Sequence, residues 1–181
     1  MAMAHPTLVL ILTGPPGVGK TTAAALLAER WTPSVHLEAD TFFRFIRFGY
    51  IEPWKPESHA QNSVVMGIVA EASASYAAAG YFTIVDGIVI PRWFLGTLRD
   101  GLHAAGLDAA YAVIRAPLPV CEARLREREG LPGDPAAIAQ LWAEFADLGE
   151  LEPHAVDVDG CSPAETAAAV ARLLADGRLA V

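Results

Sequence analysis

The chain has 181 residues, of which 53% are hydrophobic and 19% charged, and its 21 Asp and Glu against 13 Lys and Arg give a formal net charge of −8. That length suits a single domain over residues 1–181 with a sizeable core, and the apolar content excludes a disordered or collagen-like chain. The acidic balance argues against a polynucleotide partner, which needs a basic footprint, while leaving room for a local basic pocket. Apolar runs such as Leu8–Leu12 fall far short of the ~20 residues that span a bilayer. No basic stretch precedes an apolar one at the N-terminus, so the expectation is a cytoplasmic protein without membrane contact. Cys121 and Cys161 lie far apart without metal-type spacing and read as thiols in a reducing compartment.

Short apolar runs alternate with longer helical ones, the pattern of a parallel α/β sheet. A strand over Leu8–Thr13 leads through a glycine-rich turn to an Ala/Leu-rich helix over Thr21–Arg30. A second strand over Val35–Ala39, with Asp40 at its end, precedes a short helix over 41–48 and an aromatic, proline-containing loop at Phe48–Pro56. Glu57–Ala79 puts Val65, Ile68, Val69, Ala72 and Tyr76 on one helix face, with Gly80 placed to end it. A third strand is expected at Phe82–Asp86, a helix over Pro91–Ala105 and a fourth strand at Tyr111–Arg115. Helices over Pro119–Glu129 and Pro135–Asp147 each have proline near the start, and Gly130–Pro135 between them reads as a hinge. The last strand, His154–Asp157, precedes a helix over Pro163–Ala175, where Ser162 and Glu165 form a capping box. The first, third and fourth strands are almost wholly apolar, as central strands covered on both faces should be.

The segment Gly14-Pro15-Pro16-Gly17-Val18-Gly19-Lys20-Thr21-Thr22 matches G-x-x-x-x-G-K-[ST] in full, between a strand and a helix. Gly14, Gly17, Val18 and Gly19 would present backbone N–H groups to an anion, and the helix N-terminus adds partial positive charge. Lys20 supplies a mobile charge for β- and γ-phosphates, Thr21 a hydroxyl for Mg²⁺ and Thr22 a contact to the α-phosphate. No N-K-x-D base-reading motif occurs, and the chain is short for a hexameric AAA-type ATPase with a helical lid subdomain. Small phosphotransferases remain.

Carboxylates at strand ends face the ligand crevice of a parallel sheet. Asp40 can take the proton of an attacking hydroxyl, hold a Mg²⁺-bound water, or cap the next helix; all three readings stay open. Glu38 lies on the same strand face. Asp86 closes an apolar strand in Walker B-like fashion, toward a Mg²⁺ shell or the substrate. Arg124 and Arg128, four apart, share a helix face beside the hinge and suit a lid over about 124–135 that covers the phosphates, or a solvated helix paired to Glu127 and Glu129. Arg92 is a candidate for an anionic or polar acceptor. Phe45 and Tyr50, with the other aromatic side chains of 44–59, either wall an acceptor pocket or pack the helices. The histidines show no metal-site spacing.

Gly14–Thr22, Asp40, Val85-Asp86-Gly87, the Arg124/Arg128 helix and Val156–Gly160 before Ser162–Glu165 together resemble the small P-loop kinases. The nearest groups are the chloramphenicol phosphotransferase-like and the gluconate- and shikimate-kinase-like ATP-binding proteins, and the resemblance runs from about residue 7 to 176. It implies a three-layer, nucleoside-kinase-like P-loop NTPase fold with a five-stranded parallel sheet in order 2-3-1-4-5 and a small lid. It further implies Mg²⁺ and ATP at the P-loop, and transfer of the γ-phosphoryl to a small-molecule hydroxyl with Asp40 in the base position. The turn Asp157–Ser162, including Asp159, would lie against the adenine. Shikimate kinases pair two aspartates near the second strand's end, whereas Glu38 holds the earlier position here, so the acceptor is left open. A regulatory nucleotide-binding module with slow or no hydrolysis, and a zeta-toxin-like nucleotide-sugar kinase, are the alternatives.

Overall fold

In the computed structural model, residues 8–127 and 134–181 are described. Five strands, β1 (Leu8–Thr13), β2 (Ser34–Glu38), β3 (Phe82–Asp86), β4 (Asp108–Arg115) and β5 (Ala155–Asp157), form one parallel sheet in the order β2-β3-β1-β4-β5. Successive side chains of a strand point to opposite faces, and β1 feeds two cores accordingly. Val9 and Ile11 join Val85, Tyr111 and Val113 beneath α3 (His59–Ala78) and α4 (Gly96–Ala104). Leu10 and Leu12 join Ile84, Ala112 and Ile114 beneath α1 (Lys20–Ala28) and α7 (Pro163–Ala175). Helices on both faces explain why β1 and β3 read as continuous apolar runs, while β2, at the edge, is only partly buried.

Register fixes what meets at the C-terminal edge. Leu12 of β1 and Glu38 of β2 both lie opposite Asp86 of β3, so the P-loop strand and the two acidic strand ends finish level. β5 spans only three residues and pairs with Val113–Arg115. The other half of that β4 edge is covered by residues near 180: Tyr111 N–H donates to Leu179 O at 2.8 Å, Val181 N–H to Ala109 O at 3.1 Å, and Ala110 bridges Ala180.

Several expected boundaries shift. β4 starts at Asp108, because pairing with β1 recruits an Ala-Ala stretch that has no strand signature of its own. The helix expected over 41–48 is α2, Ala39–Arg44. Asp40 therefore sits in its first turn and neither ends β2 nor caps the helix; Glu38 holds the N-cap position and makes no side-chain cap bond. The helix expected over 91–105 divides into a π turn, Pro91–Leu95, and α4. α5 (Leu118–Glu127) and α6 (Pro135–Ala143) follow, and Arg128 with most of the Gly/Pro hinge lies outside the described residues. The capping box is present at α7, Glu165 N–H donating to Ser162 Oγ and Ser162 N–H to Glu165 Oε2 at 2.8 Å. No described helix is long and apolar enough to cross a membrane.

Candidate active site

The turn after β1 is packed on two sides. Gly17 has φ +77°, a left-handed conformation that disfavours any side chain, and a Cβ there would collide with Cys121 O of α5. A Cβ on Gly14 would collide with Ile114 O of β4. The loop is thus seated directly on the backbone of its neighbours, and its free face opens at the N-terminus of α1. Arg124 of α5 reaches across and donates from a guanidinium nitrogen to Val18 O at 2.8 Å. Lys20 Nζ donates to Gly14 O at 2.9 Å and Pro15 O at 3.0 Å, folded over the loop it belongs to.

The two acidic residues differ in environment. Asp86 is 4% exposed, and His36 Nε2 of the neighbouring strand lies 3.3 Å from its Oδ2. The chain beyond it is tied down: Val89 N–H donates to Thr13 Oγ1 at 2.8 Å and Tyr111 Oη to Val89 O at 2.7 Å. Gly87 allows α2 to come close, since a Cβ there would lie 2.8 Å from Ala39 Cβ. Asp40 can reach water in the cleft, yet protein surrounds it on most sides. That desolvation raises its carboxyl above the ordinary 3.8, against the lowering effect of Lys20; Asp86 and Glu38 raise it further and Arg44 lowers it. A carboxyl perturbed in this way beside a P-loop makes Asp40 a candidate for a functional role.

These groups line one cleft of about 1810 Å³. Typical ligand sites hold roughly 300–1,000 Å³, so there is room for two ligands side by side. Of the residues expected at the site, Gly17, Val18, Gly19, Lys20, Thr21, Thr22, Asp40, Tyr50, Asp86 and Arg124 line it. Gly14 is buried behind the loop. Three further expected residues do not line the cleft. Phe45 faces away, exposed over a separate apolar groove with Phe42, Val64, Val65 and Ile68, because α2 turns it to the outer side. Arg92 does not line the cleft; its guanidinium pairs with Glu144 and lies 5.8 Å from the Trp93 ring centroid. Asp159 is exposed but does not line the cleft, to which the turn after β5 contributes Cys161 and α7 contributes Pro163 and Thr166. Sequence reasoning missed Met66 of α3, Trp93 and Phe94 of the π turn, and Ile138 and Leu141 of α6. The one readable signal was the Trp-Phe pair so soon after Asp86-Gly87.

Among the described residues no group of three His, Cys, Asp or Glu could cage a metal alone. Thr21, Asp40 and Asp86 do offer the cleft a hydroxyl and two carboxylates. That oxygen set fits Mg²⁺, which is commonly held by one or two carboxylates together with substrate phosphates.

A parallel sheet with an acidic-ended strand directly beside the P-loop strand, under helices on both faces, is the fold of the P-loop kinases. The chain shares it with the Mycobacterium tuberculosis APS kinase CysC in complex with AMPPNP and APS (TM-score 0.70, 20% identity, 92% of this chain and 96% of that one). The Deinococcus radiodurans tunicamycin resistance protein (TM-score 0.67, 24% identity, 92% and 94%) and a Sinorhizobium meliloti 1021 gluconokinase (TM-score 0.64, 19% identity, 96% and 97%) are similar in the same way. Residues 9–147 match the AAA_33 family, described as an AAA domain, and the chain belongs to that family. The strand order is the kinase one. No curated protein matches the chain.

Proposed function

We propose that the protein is an ATP-dependent phosphotransferase that moves the γ-phosphoryl of ATP to a hydroxyl of a small molecule. The observation that carries this reading is a two-ligand cleft with a phosphate cradle at one end and the raised carboxyl of Asp40 facing it. The N–H groups of Gly17, Val18 and Gly19 and the start of α1 would hold the β- and γ-phosphates, with Thr22 on the α-phosphate. Lys20 would exchange its two loop carbonyls for phosphate oxygens, and Arg124 lies close enough to the loop to neutralise charge as it shifts to the leaving group. Thr21 and Asp86, with Asp40 nearby, would hold Mg²⁺, which neutralises phosphate charge when bound. His36 fixes the Asp86 carboxylate in place. The acceptor oxygen forms a bond to the γ-phosphorus as the bridging P–O bond breaks, ADP departs, and the hydroxyl proton passes to Asp40. A base with a raised pKa is better matched to that proton than an ordinary aspartate.

ATP turnover measured with Mg²⁺ and a pooled set of hydroxyl-bearing metabolites and antibiotics, with mass spectrometry of the pool, tests this directly. A pool member gaining one phosphoryl group is the expected result. Asp40→Asn should retain AMP-PNP binding and lose transfer by about 10²–10⁴-fold, and unchanged transfer in that variant removes Asp40 from the chemistry.

A further inference from the structure

Away from the phosphates, the cleft is walled by Tyr50 and Trp54 from the loop after α2, Met66 from α3, Trp93 and Phe94 from the π turn, and Leu141 from α6. The loop that carries the first two is held firmly. Gln61 donates through Nε2 to Ile51 O at 2.7 Å and accepts from Ile51 N–H at 2.9 Å, as a neighbouring strand would. Asn62, 2% exposed, donates to Pro53 O and to Ser58 Oγ, both at 2.8 Å, and Ser58 Oγ contacts Pro53 O and Lys55 O. The backbone polar groups of Ile51 and Pro53 are therefore engaged by α3, and what the loop shows to the cleft is ring surface.

Among the described residues, the charges around this wall are mostly committed or acidic. Arg92 pairs with Glu144, and Arg44 binds Thr41 Oγ1 at 2.7 Å with Glu38 at 4.0 Å. Glu38, Asp40 and Asp86 border the floor, and Arg47 stands exposed at the rim. Among the described residues, an anionic acceptor seated on these rings could call on Arg47 at the rim and would otherwise set its charge against carboxylates and aromatic rings, at a desolvation cost with limited return. An uncharged molecule with an apolar, ring-sized body gains from burial there and needs only its hydroxyl to reach Asp40.

We propose, resting on the phosphotransferase reading, that the acceptor subsite takes an uncharged alcohol with an apolar body, and that Gln61 and Asn62 position the wall which selects it. Purified protein with Mg²⁺ and γ-labelled ATP is offered 3-phenyl-1-propanol and tyrosol in one set, and gluconate and glucose 6-phosphate in another. Transfer to the first set with at least tenfold higher kcat/KM is expected. Gln61→Ala should raise the KM for the responsive alcohol about tenfold, with the KM for ATP and kcat unchanged, because the wall moves while the phosphate end does not. Asn62→Ala, if it folds, should do the same. Transfer confined to gluconate or glucose 6-phosphate overturns the acceptor class and leaves the phosphotransferase standing. A Gln61→Ala effect on ATP KM or kcat in place of acceptor KM overturns the positioning role. No transfer to either set, while the pooled screen yields a phosphorylated acceptor of another class, overturns this inference alone; no product from either set or from the pool by protein that binds AMP-PNP overturns the phosphotransferase reading.

Discussion

Gly87 is the position where the approach of two elements can be tested with a single methyl group. Its added Cβ would lie 2.8 Å from Ala39 Cβ, whereas carbon atoms settle at about 3.5–4.0 Å, so the β3–α2 junction must open by roughly 0.7–1.2 Å. Neither methyl has a rotamer to escape into, and Ala39 is only 2% exposed. The start of α2 therefore has to move, carrying Asp40, the next residue along. Such overpacking costs about 1–3 kcal/mol, which for a chain of this size lowers Tm by about 2–12 °C. A displacement near 1 Å at a reacting group can cost about 10²-fold in rate. Gly87→Ala should thus bind AMP-PNP with wild-type affinity in a calorimetric titration, because the P-loop is untouched, while kcat for phosphoryl transfer falls by about 10–100-fold. The decisive assay adds Ala39→Gly, which deletes the methyl being struck. The double variant should recover most of the lost kcat, despite a helix penalty of about 0.5–1 kcal/mol. Full turnover in Gly87→Ala, or no recovery in the double variant, would refute the reasoning.

The raised carboxyl of Asp40 is also a statement about stability. Between the ordinary 3.8 and its raised value the folded chain holds a proton that the unfolded chain has released, so this group's contribution is full below 3.8 and is lost as pH rises through the folded value. Asp40→Asn should consequently gain Tm relative to the parent as pH climbs from 4 to 7, read by thermal denaturation at a series of pH values; a gain that is the same at all pH values contradicts the desolvation argument. Gly17→Ala combines a left-handed backbone, worth about 1–2 kcal/mol, with a collision against Cys121 O. Its Tm should drop by more than about 4 °C and AMP-PNP binding should weaken, and an unaltered protein on both measurements counts against the tight seating of the loop.

Legibility in the sequence followed burial. β1 and β3, covered on both faces, have the spans their apolar runs imply, and the P-loop stands out because its chemistry dictates residue types at fixed spacing. The sheet order implied by the family resemblance is the observed one. Where neighbours decide, the pattern is silent. Asp108-Ala109-Ala110 becomes strand only because β1 lies beside it. Phe45 and Tyr50 look alike as aromatic residues after β2, yet the turn of α2 sends one outward and the loop brings the other into the cleft. Arg92 looked free for a ligand, because Glu144, its partner, lies 52 residues on. The bonds from Gln61 and Asn62 to the loop backbone obey no periodicity, since the main chain they bind can carry any residue.

The brevity of β5 has a consequence for handling the molecule. Because that strand stops at three residues, the rest of the β4 border is sheltered, among the described residues, by the antiparallel contacts of Leu179–Val181. Take those few residues away, and Ala109 O and Tyr111 N–H become an open ladder rung within Ala-Ala-Tyr-Ala-Val. Unsheltered rungs of this sort recruit the same rung from another copy. Resistance to clumping in this fold thus hangs on Leu179–Val181 as much as on its surface charge.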